Sequence, residues 1–458
     1  MRKIKSLIVV LFVALAWNLS AQVVTAENAL LSYINNGDDS FMWECRDSLV
    51  KDDVTAYRLR MRSQTWHDKE WIHELVIFVP REIEHSETLL HISGGNANEE
   101  TGEPNYHSWD NNLIGFMGDI ASRSKALTAI LWQVPRQPLF GKKYEDTLVS
   151  YTLHNFQKDK DYSWPLLFPM TKSAIRAMDA IEQFSESRGH KVKSNRFVTN
   201  GISKRGWTTW LTAATGDKRV VAIAPMVIDI LNMPVSVPYQ RHMYGSYSIH
   251  IQDYVNLGLT EQLTNPAGKE LVTMIDPYSY RDKYDLPKMI FLGSNDEFWC
   301  ADAVKNYIDG IPGQTYTSYV TNAGHSLGDK SAAFNTLEAF FMQTINRKKY
   351  PKFDYTVSKG EHSATINLSF DKKHLEGVIL WEAESENKDF RPQKFISKEL
   401  DISHCSKAKV EVEFPKQGYK AFLITAKYKH PNGKEPYNIT TRMFTADKDE
   451  LFDEVYIP

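Results

Sequence analysis

Five uninterrupted apolar runs, at residues 88–92, 126–134, 196–199, 220–223 and 288–292, constrain this chain more than any other feature. Alternating polarity marks a strand with one wet face. A continuous apolar run bounded by turn residues marks a strand buried on both faces, the environment of a parallel sheet covered by helices. Helical spacing between and after the runs supplies the covers. Residues 171–187 set Ala174, Met178 and Ile181 on one stripe, and 331–347 do the same with Phe334, Leu337, Phe341 and Ile345. Ahead of the runs, 55–66 and 71–80 alternate in polarity around His67-Asp68-Lys69, which predicts an antiparallel pair. Together these predict an α/β fold: a mixed, mostly parallel sheet with helices on both faces.

Two segments interrupt the alternation. Residues 136–169 are rich in aromatic and charged side chains, and 233–277 in tyrosine and histidine with little periodicity. Excursions of this length are functional or hold small helices of their own, and the second stands where a lid would sit. After Lys348-Lys349-Tyr350-Pro351-Lys352 the pattern changes to short alternating runs at 353–357, 363–370, 377–382, 409–414, 420–428 and 437–444. Such spacing without helices predicts an all-β sandwich of immunoglobulin or fibronectin type. At the other end, a basic head (Arg2, Lys3, Lys5), an apolar run at 7–17 and the exit Ser20-Ala21 form a secretory signal. The expected organisation is a signal peptide at 1–21, a large α/β domain at 22–350 and the sandwich at 351–458. The mature chain is expected in the periplasm or outside the cell, with no integral membrane segment.

Composition narrows the partners. Charged residues make up 24% of the chain and the formal charge is -3, so nothing electrostatic points to nucleic acid or anionic lipid. The three cysteines, Cys45, Cys300 and Cys405, exclude a disulfide scaffold and allow one bridge at most. Three buried thiols are favoured over a Cys45–Cys300 pair. The 14 histidines include no H-E-x-x-H spacing, so neither a metal nor another cofactor is expected. Oligomeric state is left open.

The chemistry-bearing residues sit at strand ends. Arg196-Phe197-Val198-Thr199 leads through Asn200-Gly201-Ile202-Ser203-Lys204-Arg205-Gly206 into Trp207, Trp210, Leu211 and Ala214 at helical spacing. Strand, tight turn and helix make a nucleophile elbow, with Ser203 as nucleophile and Gly201 relieving crowding at the turn. Arg205 stands where G-x-S-x-G has its second glycine, which here comes one later. A general base and an orienting carboxylate must follow in the order acid, then histidine. Asp296 ends Gly293-Ser294-Asn295-Asp296 after a buried run, with Asp302 and Asp329 as neighbouring alternatives, and His325 lies in Asn322-Ala323-Gly324-His325 before the last helix. The loop Ser93-Gly94-Gly95-Asn96 is expected to supply one oxyanion donor from Gly95 or Asn96, and Lys204 N–H the other. Lys204 and Arg205 could hold a substrate carboxylate or pair with acids on the surface. Glu99 and Glu100 are candidates for a substrate amine. Trp207 and the tyrosines from Tyr239 to Tyr254 are candidates for a sugar.

These motifs resemble the PhoPQ-activated pathogenicity-related protein family. The resemblance rests on Trp164-Pro165, the runs at 169–180, 201–212 and 227–233, Asn295-Asp296-Glu297-Phe298, Leu380-Trp381-Glu382-Ala383 and Asp389-Phe390-Arg391. It extends from about Tyr57 to the C-terminus. It implies an α/β-hydrolase with a C-terminal β-sandwich, exported in bacteria and akin to serine peptidases and esterases, with Ser203, Asp296 and His325 on the triad positions. It brings no substrate with it. The expected function is hydrolysis of an ester or amide in a small-molecule, peptide or glycan-ester substrate through an acyl-enzyme. The alternative is a non-catalytic homologue that binds or signals.

Overall fold

The computed structural model describes residues 23–401, 406–433 and 435–458; the expected signal peptide and Cys405 lie outside the described residues. Three antiparallel strands, β1 (Met42–Lys51), β2 (Val54–Trp66) and β3 (Lys69–Pro80), open the main sheet. The last two are the predicted pair, turning on His67 and Asp68 in left-handed backbone at φ 43° and 60°. Then come β4 (Glu87–Ile92), β5 (Thr128–Leu131), β6 (Arg196–Ile202), β7 (Val220–Met226), β8 (Lys288–Gly293) and β9 (Thr315–Val320). Their spatial order is β3-β5-β4-β6-β7-β8-β9, and every pairing from β5 onward is parallel. β4, β5 and β8 are buried along their whole length, which is why their sequences read as unbroken apolar runs.

The chain leaves β4 toward one edge and β6 toward the other. Between two strands whose connections part in this way, a crevice opens at their carboxyl ends, where ligands bind in open α/β sheets. The loops after Ile92 and Ile202 face each other there.

Helices cover both faces. In chain order they are α1 (Ala29–Ile34), α2 (Asn112–Ser124), α3 (Glu145–Asp159), α4 (Leu167–Ser187), α5 (Lys204–Ala214), α6 (Met233–Tyr244), α7 (Gln252–Asn256), α8 (Pro266–Ile275) and α9 (Ser331–Ile345). α4 and α5 bury Ala174, Met178, Trp210 and Leu211 against one face, while α2 and α9 bury Met117, Ile120, Phe334 and Leu337 against the other. The excursion at 136–169 contains α3, and that at 233–277 contains α6 to α8. The weak periodicity of the second has a cause: α6 carries Pro238 inside it and α7 is only 5 residues long.

The C-terminal β region contains β10 (Phe353–Lys359), β11 (Ser363–Phe370), β12 (Leu375–Ser385), β13 (Ile396–Glu399), β14 (Lys407–Glu413), β15 (Tyr419–Tyr428), β16 (Tyr437–Thr440) and β17 (Phe444–Ala446). β10, β11 and β14 form a three-stranded sheet whose Ile366 and Leu368 pack in one core with Phe422 and Ile424 of β15. The other strands do not form a sheet of their own. β16 meets β9 at Thr440 and Thr317, so they continue the main sheet and cover an edge that would otherwise be open.

Cys45 and Cys300 are both free thiols, and Cys45 is exposed on β1, whose solvent-facing course corrects the expectation of a buried thiol there. Among the described residues no helix is long and apolar enough to cross a membrane.

Candidate active site

β6 ends at Ile202 and α5 begins at Lys204, so Ser203 alone makes the turn, at φ 61° and ψ -128°. That conformation costs an L-residue strain and persists because both flanking elements are fixed. A Cβ on Gly201 would stand 2.6 Å from the Arg205 carbonyl oxygen, so α5 can start this close to β6 only over a glycine. A Cβ on Gly206 would stand 2.8 Å from the Met226 carbonyl oxygen and 2.9 Å from Ile228 Cγ2. Close packing of α5 on β7 therefore falls at Gly206, and position 205 is free to carry a long side chain.

The loops after β8 and β9 bring Asp296 and His325 to the same turn. His325 Nε2 lies 2.8 Å from Ser203 Oγ, and its Nδ1 lies 2.9 and 3.0 Å from the two Asp296 oxygens. This geometry assigns a proton to Nδ1, donated to the carboxylate, and leaves Nε2 to accept from the serine hydroxyl. Asp296 is 4% exposed and also accepts from Phe298 N–H at 2.8 Å. The Phe298 ring lies 4.1 Å from the imidazole, centre to centre. Glu297 was not singled out in the sequence. It accepts the His325 backbone N–H at 2.7 Å, and although burial opposes its charge, that bond helps hold its carboxyl below the usual range. The two alternative acids go elsewhere: Asp302 takes Tyr239, Lys305 and Thr445, and Asp329 caps Ser331 at the start of α9.

The residues after β4 bend sharply, with Gly95 at φ 137° and Gln133 beside it. The loop is pinned by Gln133 N–H on Gly94 carbonyl at 3.1 Å and Val134 N–H on Ser93 carbonyl at 3.0 Å. Lys204 N–H occupies the first helical position of α5, where an N–H has no intrahelical acceptor.

Arg205 does not reach for a substrate. Its Nε donates to the Val134 carbonyl at 2.5 Å and its terminal nitrogens donate to Glu145 at 2.6 and 2.7 Å, so its donors are used inside the protein. Lys204 Nζ lies 3.0 Å from both Glu145 and Asp146. Burial works against the Glu145 charge, yet Arg205 and Lys204 outweigh it and hold the carboxyl well below its ordinary range. Glu99 pairs with Lys142 at 3.2 Å, and both it and Glu100 lie on an exposed loop.

Beside Ser203 lies a mostly apolar cavity. Its floor is α5 and the segment after β7, with Trp207 buried and donating to the Ile275 carbonyl at 2.6 Å. Its roof comes from the 233–277 excursion. Asp146 and Tyr254 line it as well, joined at 3.0 Å. Glu145 and Asp146 were missed because their partners lie about sixty residues on in α5. The available signal was an acidic pair opening a helix in a chain with an unexplained Lys-Arg pair beside its serine.

The sequence model of the PhoPQ-activated pathogenicity-related protein family matches residues 30–391. The autocrine proliferation repressor protein A of Dictyostelium discoideum is 31% identical over 431 residues, covering 86% of this chain and 85% of its own. Among solved structures, an acetyl xylan esterase from a Thermoanaerobacterium species aligns at 12% identity and TM-score 0.43, over 68% of this chain and 92% of that one. Another, from a Paenibacillus species, aligns at 12% identity and TM-score 0.46, over 71% and 93%.

Proposed function

The chain belongs to the PhoPQ-activated pathogenicity-related protein family, and from that premise we propose that it is an exported serine hydrolase cleaving an ester or amide through an acyl-enzyme. The observation that carries this reading is the unbroken relay from Ser203 Oγ through His325 to Asp296, with both hydrogen-bond steps at 3.0 Å or less. In the first step Ser203 Oγ attacks the substrate carbonyl and passes its proton to His325 Nε2. Asp296 keeps the imidazole in the required tautomer and offsets its positive charge. Lys204 N–H, with Gly95 or Asn96 N–H, stabilises the tetrahedral oxyanion. Collapse expels the leaving group with the proton from His325, and water repeats the sequence to release the acid.

Ester cleavage fits better than removal of N-terminal residues. Among the described residues, Asp146 is the carboxylate lining the cavity, and it already holds Lys204 Nζ and Tyr254 Oη, each at 3.0 Å. A free substrate amine would have to break that network. The 233–277 excursion serves as the lid, residues 1–21 direct export, and 351–458 buttress the hydrolase by extending its sheet.

Screening p-nitrophenyl esters alongside aminoacyl and dipeptidyl amides tests the reading, with Ser203→Ala and, at the serine that follows His325, Ser326→Ala as controls. Ester turnover lost in the first variant and kept in the second supports it. Folded wild-type protein inert toward every substrate would leave the second reading, a binding or signalling protein. The name of the Dictyostelium relative, a proliferation repressor, favours that alternative.

A further inference from the structure

The cavity beside Ser203 is lined by eighteen side chains, thirteen of them apolar. Most of these are aliphatic, among them Ile230, Met233 and Val237 near the start of the excursion and Leu263 and Leu271 further along it. The five polar residues of the lining are Asp146, Ser203, Lys204, Tyr254 and Thr260. The cation among them, Lys204, is already neutralised by Asp146 and Glu145, at 3.0 Å each. A charged group entering this cavity would lose its hydration and find no free counter-charge. An aliphatic chain would exchange water for a surface like its own, at about 25 cal/mol per Å² of apolar area.

The cavity opens onto the reacting centre. Ser203 and Lys204, carrying the nucleophile and an oxyanion N–H, line it, and so does Phe298, whose ring lies 4.1 Å from the His325 imidazole. A group held on the substrate carbonyl carbon can therefore enter it while Ser203 attacks.

We infer that this cavity is an acyl pocket for an uncharged, medium-length aliphatic chain, and that the 233–277 excursion sets acyl specificity. The inference rests on the hydrolase reading above. Succinyl or aminoacyl groups carry a charge it cannot pair.

The test is a series of p-nitrophenyl acetate, butyrate, hexanoate and octanoate, with a monosuccinyl ester, each rate normalised to the fraction of Ser203 labelled by a fluorophosphonate probe. The expected result is a rise in kcat/KM of about three- to fourfold per methylene from acetate to hexanoate, about 80- to 250-fold over the four methylenes. The succinyl ester should fall below butyrate. Leu263→Trp should lower the hexanoate-to-acetate ratio at least tenfold, with Ile251→Trp as the second variant should the first fail to fold. A flat or acetate-preferring series from protein that labels at Ser203 overturns the acyl pocket and leaves the hydrolase standing. Folded protein that neither labels nor turns over any ester overturns both.

Discussion

Glu145 takes both terminal nitrogens of Arg205, at 2.6 and 2.7 Å, while the same guanidinium lies so close to Gly94 that a Cβ there would stand 2.6 Å from it. One ion pair thus ties the helix behind the nucleophile to the loop expected to hold the oxyanion. Glu145→Gln should destabilise the protein by about 2–3 kcal/mol. That is less than a fully buried pair would cost, since 38% of the Glu145 side chain remains exposed. Urea unfolding checks this, and Glu145→Met with Arg205→Met should cost less than Glu145→Gln alone, because no unpaired cation is left.

Asp296 accepts from His325 Nδ1 and from Phe298 N–H. Asp296→Asn keeps the volume but offers the imidazole a donor where it needs an acceptor, so kcat should fall by about 10⁴ with KM little changed. Glu297→Gln touches only the His325 backbone and should cost about tenfold or less. Steady-state kinetics on one ester separate the two.

Asn295 Nδ2 lies 2.7 to 3.1 Å from the carbonyls of Phe390, Arg391 and Gln393, and Asn322 exchanges two hydrogen bonds with the Phe395 backbone. The C-terminal segment thereby holds both the acid loop and the histidine loop. Asn295→Ala should cost about 1–2 kcal/mol of stability and lower kcat more than it raises KM. Thermal unfolding and kinetics on the same preparation read both effects.

Gly201→Ala places a Cβ 2.6 Å from backbone and should cost about 3 kcal/mol or more, measured as lost soluble yield or lowered Tm. Gly115 on α2 meets nothing within 4 Å, so Gly115→Ala should stabilise by about 0.5–1 kcal/mol.

His73 and His91 are buried, and burial pushes each imidazole down to about 4 from 6.5. Between those values the unfolded chain binds protons the folded one refuses, so stability is fully present above 6.5 and is lost as pH falls through 4. Asp229 acts in the opposite sense. Burial, with Asp296 and Asp302 nearby, pushes it up to about 8 from 3.8, so its contribution is present below 3.8 and is lost as pH rises through 8. Urea midpoints against pH should fall on both sides of a maximum, with His73→Gln flattening the acid limb and Asp229→Asn the alkaline one.

The sheet and the Ser203–Asp296–His325 constellation were readable in the sequence because their signals are local: an apolar run, a glycine two residues before a serine, a small-residue loop before a helix. What escaped is pairwise and distant. No periodicity in α3 links Glu145 to Arg205, and nothing near Thr440 says that it will meet Thr317 and join the C-terminal strands to the main sheet. The excursion at 233–277 hid its helices because they are short and one carries an internal proline, although its apolar residues suffice to line a cavity once they converge.

Covalent labelling with a fluorophosphonate probe followed by peptide mapping tests whether Ser203 is the nucleophile. One adduct per chain is expected, on the peptide containing Ser203, absent from Ser203→Ala and much slowed in His325→Ala. Folded protein that stays unlabelled, or an adduct on any other residue, would contradict it.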